Sequence, residues 1–254
     1  MNAVLEEILA TGSVTDGVVR LPLGHPDFPS LPVHMDREEG AFLAEIIRRM
    51  DPATSLEIGM AYGISTLYIC EALSALGHPV HHIVMDPFQS TQWRGIGLAN
   101  AARAGYGGMV DFLEERSELA LPKLLERGTT IEFALIDGWH TFDQVMLEFY
   151  YIDRMLREGG VVAFDDADRR SVNRVVRYAL NYPNYEVWRP VHEAPRRITL
   201  RGRMRRALSR VPGAERVIRR DLLHRDWDLG VLGSCVALRK TAAGERSSGW
   251  YRDF

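Results

Sequence analysis

The chain has 254 residues, enough for one large domain or two small ones, and its 46% apolar and 26% charged residues are the balance of a globular protein with a sizeable core. A formal net charge of −3 supplies no global field for nucleic acid or a membrane surface. The only cysteines are Cys70 and Cys235, which excludes a disulfide framework or a multi-cysteine zinc site and predicts a cytoplasmic protein.

The opening MNAVLEEILATGSVTD lacks a basic start and an apolar core, so it does not read as a signal peptide. No stretch approaches the roughly 20 apolar residues of a membrane span. VLEEILA is a short helix candidate, and the turn-rich GHPDFPSLP follows it. Residues 1–35 therefore read as an arm or lid, and residues 36–254 as the main domain.

From Asp36 the pattern becomes regular. REEGAFLAEIIRRM has helical apolar spacing, TSLEIG predicts a strand, and STLYICEALSAL a helix. HHIVMD, MVDFLEER and IEFALID are further strands, separated by the helices GIGLANAARAG and SELALPKLLERG. FDQVMLEFYYIDRMLREGG predicts a helix stopped by its terminal glycines. VVAFDD is a strand, SVNRVVRYALNY a helix, YEVWRPV a strand and LGVLGSCVALRK a last strand. Short apolar strands alternating with helices imply an α/β, doubly wound, mostly parallel sheet. Residues 196–230 are dense in arginine and read as an insertion before the last strand. They lack interleaved aromatics, so specific nucleic-acid reading is not expected.

Open parallel sheets bind ligands beyond the carboxyl ends of their strands. In SLEIGMAYGIST, Gly59 and Gly63 follow the first clear strand, at its junction with a helix. A phosphate-binding loop would need Lys and then Ser or Thr after the last glycine, but Ile64 follows Gly63. A dinucleotide fingerprint would need glycine at position 61, which is Ala61, and this weakens the alternative of a nicotinamide-dependent oxidoreductase. A ligand with an adenosine end and no phosphate remains, beside the plain reading of a tight strand-to-helix turn. Asp86, after the second strand, suits both hydroxyls of a ribose, or else a cap or turn before Pro87.

Glu57-Ile-Gly59-Met-Ala-Tyr-Gly63 resembles the first motif of the class I S-adenosylmethionine-dependent methyltransferases. The resemblance implies a seven-stranded sheet whose last strand is antiparallel. It also implies that this loop, with Glu57 and Ser65, supports the methionine part of the cofactor and that Asp86 holds the ribose. The resemblance further implies that Arg116 and Ser117, at the end of the third strand, lie near the adenine.

Asp137 ends the fourth strand, and Asp165 and Asp166 end the fifth. A right-handed crossover sets those strands side by side, about 4.8 Å apart. Their carboxylates can converge on one hard divalent cation, Mg²⁺ in the first instance, with helix capping or pairing to Arg169 or Arg170 as the plain reading. IDGWHTFDQVMLEFYYIDRMLREGGVVAFDD resembles the metal-dependent O-methyltransferase branch, nearest the bacterial group acting on sugars and glycosylated natural products. That resemblance assigns Asp137, Asp165 and Asp166 to the metal, adds Asp137 to the cofactor contacts, and leaves His140 as the base, since Trp139 stands where some relatives carry an Asp. A small-molecule hydroxyl is the expected acceptor. A catalytically silent adenosyl-binding protein that recruits a partner through the arginines is the other alternative, and a homo-oligomer stays open. Trp93, Phe142 and Trp188 suit either a pocket or the core, and His81-His82 reads as structural.

Overall fold

The computed structural model describes residues 1–24, 35–182, 184–188 and 226–244, with the isolated positions 204, 207 and 211. The arginine-rich stretch, apart from those three positions and residues 226–230, lies outside the described residues, as do residues 25–34 of the arm.

Helix α1 (Ala3–Thr11) and a small antiparallel hairpin, β1 (Ser13–Thr15) and β2 (Arg20–Pro22), precede the main domain. Leu5, Ile8 and Val14 are buried against Tyr62, Leu67, Tyr68 and Ile96, so this part of the arm is packed onto the domain. Helix α2 (Arg37–Met50) begins at a capping box. The Asp36 side chain accepts from the amides of Glu38 and Glu39 at 2.8 and 2.9 Å, and Glu39 accepts from the amide of Asp36 at 3.0 Å.

The regular alternation follows: β3 (Thr54–Ile58), α3 (Ile64–Ser74), β4 (His81–Met85), α4 (Ile96–Arg103), β5 (Val110–Leu113), α5 (Ser117–Glu126), β6 (Ile131–Ile136), α6 (Phe142–Met155), β7 (Leu156–Phe164), α7 (Arg170–Ala179) and β8 (Tyr185–Val187). A short helical turn, Asp226–Leu229, leads to β9 (Val236–Lys240). The sheet runs β5-β4-β3-β6-β7-β9-β8, and β9 lies antiparallel to both of its neighbours. The expected seven strands and reversed last strand are present. No described helix is long and apolar enough to cross a membrane.

Strand alternation divides the core between the two faces of the sheet. Ala134 and Ile136 pack with Phe149 and Ile152 of α6 and Val175 of α7. Phe133 and Leu135, one residue out of phase, pack with Leu43 and Ile47 of α2 and Ile69 of α3.

One boundary departs from expectation. Helix α6 stops at Met155, and Leu156–Gly160 form the irregular start of β7. Leu156 pairs with Ile131, the register shifts, and Val161 then pairs with Phe133. Gly159, at φ 84°, absorbs the irregularity, and a Cβ on Gly160 would meet the carbonyl oxygen of Glu132 at 2.9 Å. The two glycines therefore serve a bulged strand rather than a helix terminus.

Candidate active site

Four strand ends meet at one rim because the backbone ladder continues past each of them. The amide of Gly59 bonds Met85 O at 2.9 Å, and that of Asp86 bonds Leu113 O at 3.1 Å. The amide of Asp137 bonds Ile58 O at 2.9 Å, and that of Asp165 bonds Ile136 O at 3.0 Å. Gly59, Asp86, Asp137 and Asp165 thus stand side by side at the carboxyl edge. They line a cavity of about 1030 Å³ together with Ser65, Arg116, Ser117, His140 and Asp166.

The glycine turn is required by the protein's own packing. Gly59 sits at φ 92°, and a Cβ there would lie 1.9 Å from Asp137 O. Gly63, at φ 80°, sits against Gly97 O, which a Cβ would approach to 3.0 Å. The bend brings Gly59, Met60, Ala61 and Tyr62 to the cavity wall, while Gly63 shapes the turn from behind.

Glu57 is fully buried beneath the turn and does not line the cavity. Its Oε1 accepts from Ser65 Oγ at 2.5 Å, and its Oε2 lies 2.9 Å from His82 Nε2. His82 is itself fully buried, with Nδ1 2.9 Å from Ser55 Oγ. His82 is structural, as the sequence suggested, but it has a convergent partner that sequence reasoning missed. His81 is exposed and faces Asp111 at 3.3 Å. Asp86 clamps the same turn: its Oδ2 accepts from the amides of Met60 and Ala61 at 3.1 and 2.8 Å, and its Oδ1 from the amide of Phe88 at 2.8 Å.

At the other end of the cavity, carboxylates crowd together. Burial, then the charges of Asp165 and Glu57, hold Asp137 well above the usual carboxylate range. Burial, then the charges of Glu39 and Asp166, push Asp165 up to about 7. Asp165 Oδ1 is buried with no hydrogen-bond partner among the described residues. Asp166 is committed elsewhere: its Oδ2 lies 2.7 Å from Arg169 Nε and 3.1 Å from His140 Nδ1. His140 Nε2 stands 3.4 Å from Asp137 Oδ1. Burial lowers the pKa of His140 against the opposing pull of Asp166.

His140 and Asp166 both adopt positive φ, 55° and 51°. That conformation is uncommon for residues other than glycine and is held here by the surroundings. Ser171 Oγ bonds His140 O at 2.6 Å, and the Arg169 amide bonds Asp166 O at 2.9 Å.

Among the described residues, no three His, Cys, Asp or Glu side chains are arranged as a ready metal site. Asp137 and Asp165 nevertheless suit a hard cation, being neighbouring oxygen donors of which Asp165 raises the pKa of Asp137 and itself keeps a bare buried oxygen.

Sequence reasoning also missed Glu39, Gln144, Glu148 and Arg169 as part of the cavity wall. Glu148 had a readable signal: it shares the buried face of α6 with Val145, Phe149 and Ile152, where an acid is out of place. Of the aromatics, Trp93 lines the cavity and meets Tyr62 edge-on at 5.2 Å. Trp188 packs on the core under the Arg49 guanidinium, and Phe142 is exposed at the start of α6.

Residues 56–167 match a family described as a methyltransferase domain. Similar solved structures include the O-methyltransferase of Bacillus cereus in complex with SAH, at 17% identity over 74% of this chain and 83% of that one, with a TM-score of 0.59. TomG of Streptomyces achromogenes, an O-methyltransferase involved in tomaymycin synthesis and solved with SAM, is 21% identical over 64% of this chain and 75% of that one, with a TM-score of 0.53. The SAH-bound methyltransferase PaMTH1 of Podospora anserina is 16% identical over 63% of this chain and 76% of that one, with a TM-score of 0.52. At these identities the likeness is one of fold. Residues 56–167 thus match a methyltransferase domain, carried on a seven-stranded sheet of order β5-β4-β3-β6-β7-β9-β8 whose fold the solved methyltransferases share.

Proposed function

We propose that the protein transfers a methyl group from S-adenosylmethionine to a hydroxyl of a small molecule, with a sugar or glycosylated metabolite as the acceptor class and a divalent ion assisting. The observation that carries this reading is the His140 arrangement, an imidazole held between Asp137 and Asp166 at the edge of the cavity.

In the proposed reaction the acceptor oxygen attacks the methyl carbon while the carbon–sulfur bond breaks and its electron pair goes to sulfur. The hydroxyl proton goes to His140. Asp166, itself fixed by Arg169, accepts from Nδ1, so the Nε2 lone pair, on the Asp137 side of the ring, is the one that takes that proton. Positive φ at both His140 and Asp166 fixes the direction of the imidazole before substrate arrives. Ser65, Asp86, Arg116, Ser117 and the turn at Gly59 would hold the donor, with Glu57 and Gly63 shaping the turn from below. Asp137 and Asp165 would hold the ion, with Asp166 beside them, and the ion would lower the pKa of a bound hydroxyl. Support for a polar acceptor comes from Asp36, Glu39, Asp143 and Arg169 on the cavity wall and from the sequence resemblance to the sugar-modifying group. Both cysteines are free thiols, which supports a cytoplasmic setting.

The test is transfer of labelled methyl from S-adenosylmethionine to a panel of sugars and glycosylated small molecules, with Mg²⁺ or with a chelator. Activity should disappear with the chelator, and His140→Gln should lower kcat by about 10²–10⁴-fold while donor binding persists. Activity untouched by the chelator would remove the ion and keep the methyltransferase. Full activity in His140→Gln would remove the base.

A further inference from the structure

Glu148 has no part in the chemistry at His140, yet it is a buried, incompletely partnered acid on the cavity wall. It is 1% exposed and lines the cavity between Ser117, Gln144 and Gly138. Its Oε1 accepts from Ser117 Oγ at 2.7 Å and from Gln144 Nε2 at 3.3 Å. Its Oε2 is buried and has no hydrogen-bond partner among the described residues. Such an atom carries a cost that a bound ligand can relieve.

Burial pushes the Glu148 carboxyl up to about 7, against the lowering effect of Ser117 and Gln144. The charged group facing it is Glu118 on α5, whose like charge also favours the protonated form and which shares Gln144 Nε2 at 3.2 Å. Arg116 pairs with Glu118 at 3.5 Å. Just past β6 the neighbour is Gly138, which carries no charge and is itself backed by Ile58 of β3. Since Oε1 already accepts two hydrogen bonds, the acid proton sits on Oε2. Oε2 is then a donor without an acceptor.

Close packing beside it requires glycine at position 138: a Cβ there would come within 3.2 Å of Glu148 Oε1 and 3.3 Å of Ile58 Cγ2. Phe88 and Trp139, 6.3 Å apart between ring centroids, add aromatic surface to the same cavity.

We propose that Glu148 reads the base of the methyl donor, its Oε2 donating to N1 of the purine ring and so favouring a 6-aminopurine over a 6-oxopurine. The 6-oxopurine carries a proton on N1 and presents a donor to a donor. The proposal rests on the methyl-donor reading above. It adds a specificity-determining residue on α6 that the sequence pattern did not single out.

The test is calorimetric binding of S-adenosylhomocysteine and S-inosylhomocysteine to the full chain at pH 6 and pH 8.5. The wild type should prefer the adenosyl ligand at pH 6 and lose about tenfold in affinity for it at pH 8.5 as Oε2 ionises. Glu148→Gln keeps an N–H donor at every pH, so its affinity should match the wild type at pH 6 and lack that tenfold loss. Glu148→Leu should lose about tenfold at both pH values, together with most of the adenosyl preference. A wild-type pH dependence reproduced in Glu148→Gln, or an undiminished preference in Glu148→Leu, would overturn the assignment and leave the donor reading standing. If neither nucleoside binds the wild type, the donor reading fails and this inference falls with it.

Discussion

A stability measurement on Glu148→Gln isolates the cost of burying this acid, independently of any ligand. The native carboxyl titrates at about 7 against an ordinary value of 4.5, mainly because it is desolvated. The unfolded chain releases this proton from about pH 4.5 upward, while the native chain keeps it to about pH 7. The unfolded state therefore binds fewer protons across that window, so stability falls as pH rises and levels off above it. At about 1.36 kcal/mol per pH unit, the loss is about 3 kcal/mol. Glutamine preserves the shape and can still accept from Ser117 and Gln144 but has nothing to ionise. Urea unfolding of both proteins from pH 4.5 to pH 8.5, extrapolated to water, gives the comparison. The stability of the variant relative to the wild type should improve by about 3 kcal/mol across that range. Asp165 and the other titrating groups remain in both proteins and largely cancel in the difference. A difference that stays flat with pH would refute the claim that Glu148 is held protonated by its surroundings.

Gly59→Ala should cost about 3 kcal/mol or more and abolish binding of S-adenosylhomocysteine, because its Cβ would overlap Asp137 O at a backbone angle of φ 92°. Gly12→Ala, at φ 59° with nothing within 4 Å of the added Cβ, should cost only about 1–2 kcal/mol; equal thermal melts for the two variants would contradict the packing argument. His82→Leu removes the partner of Glu57 Oε2 inside the core and should destabilise by about 3–5 kcal/mol in urea, whereas unchanged stability would mean that Glu57 finds another partner.

The fold was legible because most of its elements speak locally. Asp36 followed by Glu39 announces the capping box of α2, and the apolar strands between helices announce a sheet covered on both faces. REGG at residues 157–160 was harder, because a glycine pair ends helices and permits bulges equally well; the pairing of Leu156 with Ile131 decides it, and that contact is not local. The rim residues were legible because strand ends in a parallel sheet share an edge. Their division of labour was not. Nothing in the run of residues 164–169 says that Asp166 turns to Arg169 and His140 while Asp165 Oδ1 stays bare. The hydrogen-bonded chain Ser55–His82–Glu57–Ser65 joins three separate elements, so no window of the sequence contains it. Ser234 bonding Glu39 across 195 positions is equally invisible to local pattern.

That last bond gives the site an assembly order. Strand β9 slots between β7 and β8, the Ala167 amide reaches Ser234 O, and the Ser234 hydroxyl meets the Glu39 carboxylate on the cavity wall. A nascent polypeptide could stack β3 to β7 while still leaving the ribosome, but the wall around Asp165 stays open until residues 234–240 have been synthesised. Competence for substrate therefore waits on residues 234–240 and arrives with them, rather than building up strand by strand.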